Sequence, residues 1–183
     1  MQPFISTKAG DTGESSIIGG RKVSKSDIRL NVVGSIDELN SIIGLALTGN
    51  DLPKNIEEGL NVIQKTLFTA GTDIAAPLEI SGINRITEEV IDSLEEIMVY
   101  LEEQLPDLKN FILPGGVTSA ALLHQARAVC RRAERDLVSL SEKETINKLI
   151  IIYLNRLSDY LFLAARYVNM KGCSVEEIVD NLP

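Results

Sequence analysis

The chain has 183 residues and a formal net charge of −8, a length that predicts one domain built around a single hydrophobic core. Hydrophobic residues make up 44% and charged residues 24%, which is typical of a soluble globular protein. The negative charge argues against a general nucleic-acid-binding protein, whose surface is basic. Cys130 and Cys173 lack the CxxC spacing of zinc or redox motifs, and they indicate a reducing, cytoplasmic location.

The first 25 residues form what we call the N-terminal segment, which contains TKAGDTGESSIIGG at positions 7–20. It has too few apolar groups to offset the roughly 1–2 kcal/mol per residue that backbone ordering costs. We therefore expect it to be disordered, or ordered by a ligand or a partner. Its glycines allow backbone N–H groups to turn toward an anion, and its hydroxyls add donors. Neither a Walker A motif nor GxGxxG is present.

Helical periodicity begins at about Ser35 and continues for most of the chain. Apolar residues at three- and four-residue spacing predict helices over 35–49, 53–76 and 87–106, then over 118–140 and 145–170, with a last turn at 175–179. No segment alternates as a strand does. The run from 149 to 168 is interrupted by Asn155, Arg156 and Asp159, so it predicts a buried helix and no membrane span.

These patterns predict an all-α fold, an antiparallel five-helix bundle with a glycine-rich N-terminal ligand-binding segment. We expect one domain over residues 1–183, with the N-terminal segment at 1–25 and the helical bundle at 26–183. The bundle is expected to need no contribution from the N-terminal segment.

The fourth predicted helix contains HQARAVCRRAERDL at positions 124–137. At 100° per residue, Arg127, Arg131, Glu134 and Arg135 share one face, while Arg132 points elsewhere. A solvated charged face is the common meaning of such a pattern. However, three arginines repel each other, one glutamate balances them poorly, and the guanidinium fork suits phosphate oxygens. The N-terminal segment contains a second cationic cluster, which consists of Lys8, Arg21, Lys22 and Lys25. Two cationic clusters in an acidic protein indicate that both bind the same polyanion.

The fifth predicted helix carries a polar stripe consisting of Asn155, Asp159, Phe162, Arg166 and Asn169. Interhelical hydrogen bonding accounts for these residues as well as ligand contact does, except at Asn155. Asp37 is either an ordinary first-turn acid or a group that orients an arginine from another helix. His124 has no second ligand at helical spacing and is expected to be structural. No nucleophile–base pair is visible, so an enzyme of this sequence would position reactants and stabilise a leaving group.

Five segments carry a family resemblance, and they occur in order along nearly the whole chain: TKAGDTGESSIIGGRKVSK, GSIDELNSIIGLAL, FILPGG, RAVCRRAERDL and YLNRLSDYLFLAARYVN. Together they resemble the ATP:cob(I)alamin adenosyltransferases of the propanediol-utilisation type. The resemblance implies a five-helix bundle that assembles as a homotrimer with active sites between subunits. It implies transfer of the 5′-deoxyadenosyl group of ATP to cob(I)alamin, release of triphosphate, and Mg²⁺ accompanying ATP. A cobalamin reductase and an adenosylcobalamin-dependent enzyme would be partners.

The resemblance also implies roles for individual residues. Arg127 and Asp37 match an ion pair beside the corrinoid, and Phe111 matches the aromatic residue that covers the lower face of the corrin. No residue is implied as a metal ligand. The implied ATP contacts are Thr7, Lys8, Ala9, Gly10, Ser15, Ser16, Lys25, Arg131, Arg132, Ala133, Glu134, Arg135 and Asn155.

Three positions depart from the family pattern: Ala9, Thr12 and Glu14. The missing cation at Thr12 and the added carboxylate at Glu14 predict weaker ATP binding. Two other functions are compatible with the residues alone. One is an adenosylcobalamin carrier, which would not need the triphosphate-binding arginines, and the other is a structural bundle without a ligand, which leaves the N-terminal segment unexplained.

Overall fold

The computed structural model describes residue 6 and residues 8–179. Within that part of the chain, five helices form the predicted all-α bundle, and a short hairpin, β1–β2, precedes them. The hairpin was not predicted. The elements are β1 (Glu14–Ser16), β2 (Lys22–Ser24), α1 (Ile28–Leu47), α2 (Lys54–Ala75), α3 (Glu88–Gln104), α4 (Thr118–Ser141) and α5 (Leu149–Lys171).

Helix α1 begins seven residues earlier than the periodicity predicted. The Asp27 carboxylate accepts a hydrogen bond from the Arg29 backbone N–H at 2.8 Å, which caps the helix at its first turn. By length and composition α1 is apolar enough to cross a bilayer, but a core helix of a bundle meets the same criterion. Here α1 packs against α2 and α4, and Val32, Leu39 and Ile43 are fully buried.

The core lies along α4 and α5, and α3 packs on the far side of α5. Both central helices bury small and large apolar residues with no exposed surface, among them Leu123, Ala126, Leu137, Leu157 and Ala164. Each buried leucine contributes about 1.5–3 kcal/mol relative to exposure. Because one face of α4 supplies the core, its opposite face is left to carry charge.

A buried polar network fixes the end of α2. The Asp73 side chain has no exposed surface and pairs with Arg85. It also accepts hydrogen bonds from the Ile86 N–H at 3.1 Å and from the Asn147 Nδ2 at 2.8 Å. Arg85 in turn donates to the carbonyl of Pro77 at 2.9 Å. The network therefore joins α2 to the connection before α3 and to the connection between α4 and α5.

The hairpin packs against the end of α2, so residues 14–24 contribute buried contacts to the bundle without a bound ligand, which we did not expect. Ile17 is only 5% exposed, and the Ile18 N–H donates to the carbonyl of Ala75 at 3.1 Å. Gly19 and Gly20 have φ angles of +94° and +83°, a region that favours glycine. These two glycines serve the turn, which is a structural reason for part of the glycine content.

The predicted turn at 175–179 is also wrong. These residues are extended and bridge the connection between α3 and α4, with Ile178 opposite Ile112 in an antiparallel arrangement. The Leu113 N–H donates to the carbonyl of Glu177 at 2.8 Å, and the Val179 N–H donates to the carbonyl of Phe111 at 2.9 Å. We refer to residues 174–179 as the C-terminal segment.

Candidate functional site

The nine arginines of the chain all lie in the part that the structure describes, and they divide into two groups. Six form an ion pair with a carboxylate: Arg21, Arg29, Arg85, Arg132, Arg156 and Arg166. Among the described residues, no ion pair involves Arg127, Arg131 or Arg135. The unpaired group is the stripe that helical geometry predicted on α4, and Arg132 faces elsewhere as expected.

Two of the unpaired arginines, Arg127 and Arg131, line a cleft of about 490 Å³ between α3, α4 and α5. Its polar wall includes Arg127, Arg131 and Asp159, and its apolar wall includes Met98, Leu105, Phe162 and Leu163. Arg127 is half-buried, and its Nε has no hydrogen-bond partner among the described residues. A desolvated cation of this kind is stabilised by an anion. The cleft therefore suits a ligand with both an anionic and an apolar part.

A second, shallower cleft of about 210 Å³ continues along α4 and is lined by Arg131, Glu134, Arg135 and Val138. Arg131 lines both clefts. The Glu134 carboxylate accepts a hydrogen bond from the Asn155 Nδ2 at 3.1 Å. Glu134 and Asn155, which were identified separately on two predicted helices, therefore lie together beside the arginines.

Two of the residues that the family resemblance implied lie away from both clefts. Arg132 is directed toward α1, where it pairs with Glu38. Ala133 is fully buried in the core, so its side chain cannot contact ATP. The reason is the helical period, since neighbouring positions on α4 point 100° apart.

Phe111 lies on the connection between α3 and α4, and its side chain is 71% exposed. The depression beside it shares Leu108 with the large cleft, so Phe111 lies near the rim of that cleft. The far end of the connection is fixed by Asn169, which accepts from the Val117 N–H at 3.0 Å and donates to the carbonyl of Gly115 at 3.0 Å. For Asn169 the structure therefore shows hydrogen bonding within the protein, which was one of the two roles considered for the polar stripe of α5; ligand contact was the other.

The N-terminal segment places some predicted ATP-binding residues together. Thr7 lies outside the described residues. The Lys25 amine lies over Gly10, where an added Cβ would be 2.9 Å from Nζ, and the Lys25 N–H donates to the carbonyl of Gly13 at 2.9 Å. Lys8 and Ala9 are exposed on the same loop.

The two serines predicted to contact ATP, Ser15 and Ser16, belong to β1 and pair with Val23 and Lys22 of β2. The Glu14 carboxylate lies 3.5 Å from the Lys22 amine, which offsets part of its unfavourable charge. No described residue of the N-terminal segment lines either arginine cleft. Among the described residues, the two halves of the predicted ATP site therefore do not line a common cleft.

Asp37 is exposed on α1 and lines a different groove, of about 440 Å³, together with residues of α2 and Ile18 of the hairpin. Phe68 of the same groove is 70% exposed. Asp37 and Arg127 line different cavities and form no ion pair within the described chain.

His124 is 3% exposed and packs edge-on against Phe162, with ring centroids 5.9 Å apart. Burial and the nearby Arg127 charge lower its pKa, which keeps the ring neutral and fits the structural role predicted for it. Among the described residues, no cluster of three or more histidine, cysteine or acidic side chains has the geometry of a metal site. The sequence did not predict that apolar residues of α3 and α5 form a wall of the large cleft. Leu108 and Phe111, on the connection that follows α3, were the nearest apolar residues outside the predicted helices.

Known proteins are similar to this chain over most of its length. A family model described as cobalamin adenosyltransferase matches residues 5–168. The corrinoid adenosyltransferase of Bacillus subtilis strain 168 is 45% identical over 169 residues, covering 91% of this chain and 86% of that protein. The cobalamin adenosyltransferase of Cupriavidus metallidurans is 42% identical over 168 residues, covering 92% and 89%.

A solved structure extends the match to three dimensions. It is a phenylalanine-to-alanine variant of a PduO-type ATP:corrinoid adenosyltransferase from Lactobacillus reuteri, complexed with cobalamin and ATP. It superimposes with a TM-score of 0.91 at 38% identity and covers 97% of this chain and 99% of that chain. With sequence, fold and an arginine-lined cleft in agreement, this chain belongs to the cobalamin adenosyltransferase family.

Proposed function

We propose that this family member transfers the 5′-deoxyadenosyl group of ATP to cob(I)alamin, forming adenosylcobalamin and releasing triphosphate. The observation that carries the proposal is that two unpaired arginines of the α4 stripe, Arg127 and Arg131, line a cleft together with apolar residues of α3 and α5. In the reaction, the electron pair of Co(I) attacks C5′ of ATP and forms the Co–C bond. The C5′–O bond breaks, and its electrons leave with the triphosphate. Cob(I)alamin is itself a strong nucleophile, so the reaction needs no protein base.

The arginines stabilise the leaving triphosphate. Arg131 contacts both clefts, so it lies where an anion spanning them would be held. Preorganised cations aimed at a developing negative charge are among the largest single contributions to catalysis. Arg127 and Arg135 extend the positive surface on either side, and the Glu134–Asn155 hydrogen bond orients the polar groups beside them.

Magnesium accompanies ATP in this proposal. Mg²⁺ is commonly held by substrate phosphates and one or two carboxylates, and Glu134 is the carboxylate that lines a cleft with Arg131 and Arg135. The Mg²⁺ ion neutralises phosphate charge when it is bound. The residues present fit this arrangement without a dedicated acidic cluster.

Phe111 covers the lower face of the corrin and excludes water and the dimethylbenzimidazole ligand. A four-coordinate cobalt is easier to reduce than one with an axial ligand, and a hydrophobic cover favours that state. The exposure of the Phe111 ring and its position near the cleft rim support this role. Covering an exposed aromatic side chain with apolar surface is favourable, because it removes apolar area from water.

The active form in this proposal is a homotrimer with sites between subunits. Three observations support it: Arg127 and Asp37 are both without an ion-pair partner in the described chain, they line different cavities, and Phe68 is exposed beside Asp37. Asp37 of one subunit would then pair with Arg127 of the next. Mixing Asp37→Ala and Arg127→Ala subunits tests this arrangement, because mixed trimers would contain some sites in which both residues are intact. Activity that stays absent after reassembly would contradict the shared site.

We further propose a cytoplasmic location, in keeping with two free thiols. There, a cobalamin reductase would supply the electron, and an adenosylcobalamin-dependent enzyme would receive the product.

The decisive experiment is an anaerobic assay with chemically reduced cob(I)alamin and Mg-ATP, following the cobalamin spectrum and the released triphosphate. Conversion to adenosylcobalamin with one triphosphate per turnover would establish the transferase. Tight binding of adenosylcobalamin without conversion would overturn it in favour of the carrier. In that case Ala9, Thr12 and Glu14 would be the first positions to change toward the family pattern.

A further inference from the structure

We infer that Arg166 and Glu176 form a latch that positions Phe111, and that both are therefore positioning residues for adenosyl transfer. The catalytic part of this inference rests on the function proposed above, whereas its structural part does not. The latch is the ion pair between the end of α5 and the C-terminal segment.

The Arg166 side chain is 5% exposed and has donors directed at two different segments. Its Nε lies 3.0 Å and 3.3 Å from the two carboxylate oxygens of Glu176, and its Nη2 lies 3.3 Å from one of them. The same Nη2 donates to the carbonyl of Pro106 at 3.0 Å. Arg166 therefore joins the C-terminal segment to the beginning of the connection that carries Phe111.

The C-terminal segment in turn holds the backbone at Phe111 and at the two residues that follow it. The carbonyl of Phe111 accepts from the Val179 N–H at 2.9 Å, and the Leu113 N–H donates to the carbonyl of Glu177 at 2.8 Å. Few other contacts are available at this point, since the Phe111 ring is 71% exposed. The position of the ring consequently depends on these backbone hydrogen bonds.

Apolar burial does not anchor the C-terminal segment. Val175 is 91% exposed and Ile178 is 49% exposed, and an isolated pair of short strands is marginal in water. Glu176, by contrast, is directed inward, and its side chain is 23% exposed. The ion pair is thus the main side-chain attachment of the segment to the bundle. Asn169 fixes the connection separately at Gly115 and Val117, so breaking the latch should release only its middle.

The latch also contacts the candidate site. The Arg166 guanidinium lies 6.0 Å from the centroid of the Phe162 ring, and both residues line the large cleft. The bidentate geometry that holds Glu176 keeps Arg166 against that wall. The Arg166–Glu176 pair therefore fixes one wall of the cleft and also the position of Phe111 at the rim of the cleft.

The test uses the full chain with Glu176→Ala, and Glu58→Ala as the matched control. Glu58 is also an ion-paired glutamate, 3.7 Å from Lys54 on the surface of α2. Amide hydrogen exchange should become at least about tenfold faster in peptides covering 108–114 and 174–179, because local opening governs exchange. Peptides from the middle of α4 and α5 should be unchanged, and the control should exchange as the unmodified protein does.

Kinetics then test the catalytic part. We expect Glu176→Ala to lower kcat by about tenfold, since a small misplacement of a positioning group has effects of this order, while KM for ATP stays within about twofold. The Glu176→Ala change should have little further effect in a Phe111→Ala background, because residues acting through one another are not additive. Glu176→Asp should restore part of the loss. If Glu176→Ala folds poorly, Glu176→Gln serves in its place, because it removes the carboxylate charge of the ion pair while keeping the side-chain volume, and a smaller effect in the same direction is then expected.

Unchanged exchange at 108–114 would overturn the latch itself. Full additivity with Phe111→Ala would overturn its action through Phe111, even if exchange increased. An unmodified protein that does not turn over cob(I)alamin would instead contradict the proposed function, and the exchange experiment would still decide whether the latch exists.

Discussion

Arg85 and Arg131 are the same kind of residue in opposite surroundings. Arg85 donates to the buried carboxylate of Asp73 and to the carbonyl of Pro77, and it ties the end of α2 to the connection before α3. Arg131 has no ion pair among the described residues and faces two clefts. The difference shows that partners, more than residue type, separate an arginine that maintains the fold from one that is available to a ligand.

The first prediction concerns the buried network around Asp73 and Arg85. Asp73→Ala should lower the free energy of unfolding by about 3–5 kcal/mol, because it leaves Arg85 without its buried partner. Urea denaturation followed by circular dichroism measures this change, and Asp92→Ala on the exposed face of α3 is the control. A stable Asp73→Ala protein that had lost activity would break the distinction between the two regions.

The second prediction concerns the unpaired arginine stripe on α4. Arg131→Ala should reduce kcat/KM by about 100- to 1000-fold, or roughly 3–4 kcal/mol of transition-state stabilisation, and leave the urea midpoint nearly unchanged. Arg132→Ala should reduce activity less, because Arg132 pairs with Glu38 on α1. Lys143→Ala controls for the loss of a surface cation near the end of α4. Equal losses for Arg131 and Arg132 would contradict the assignment of the stripe.

The third prediction concerns Phe111. Phe111→Ala should lower turnover by about 10- to 100-fold, equivalent to the roughly 1.5–3 kcal/mol gained when a phenylalanine side chain is covered. Formation of four-coordinate cob(II)alamin, followed spectroscopically, should fall in parallel, while ATP affinity should change little. Equal damage to ATP binding would show that Phe111 does not act on the corrin alone.

The smallest effect is expected at Glu144. A hydrogen bond from Arg29 is the main cause that lowers the pKa of this carboxyl below 4.5. A lowered folded-state pKa adds stability above the unfolded value, and this stability is lost as the pH falls below 4.5 through the folded value. Glu144→Gln should therefore cost about 1 kcal/mol at pH 7 and show a weaker loss of stability between pH 5 and pH 3. Parallel pH profiles for the two proteins would exclude this linkage.

Local periodicity was sufficient to predict most of the bundle. The observed ends of α2, α3 and α4 lie within about two residues of the predicted ones, because their buried residues recur at helical spacing. The arginine stripe was predictable for the same reason, since its members lie on one helix. Interactions between distant segments were not predictable. The burial of Ile17 depends on the end of α2, and no pattern in residues 14–24 indicates it.

The C-terminal segment shows the limit most clearly. Residues 175–179 were predicted to form a last turn, yet Ile178 bridges Ile112, and Val179 donates to the carbonyl of Phe111. The partner of Arg166 was missed because the Arg166–Glu176 pair forms only when the chain reverses after α5. A single sequence does not record which distant segments meet.

The bridge between Ile112 and Ile178 has a consequence for how the protein is made. During synthesis the chain emerges from its N-terminus, and the helix that carries the arginine stripe, α4, is complete before residue 178 exists. Phe111 can be held in place only after that. A nascent or shortened chain ending before residue 174 would thus carry the arginine stripe of α4 but lack the hydrogen bonds that the C-terminal segment makes to Phe111 and Leu113. Of the described residues, those that hold the backbone at Phe111 are therefore the last to be synthesised.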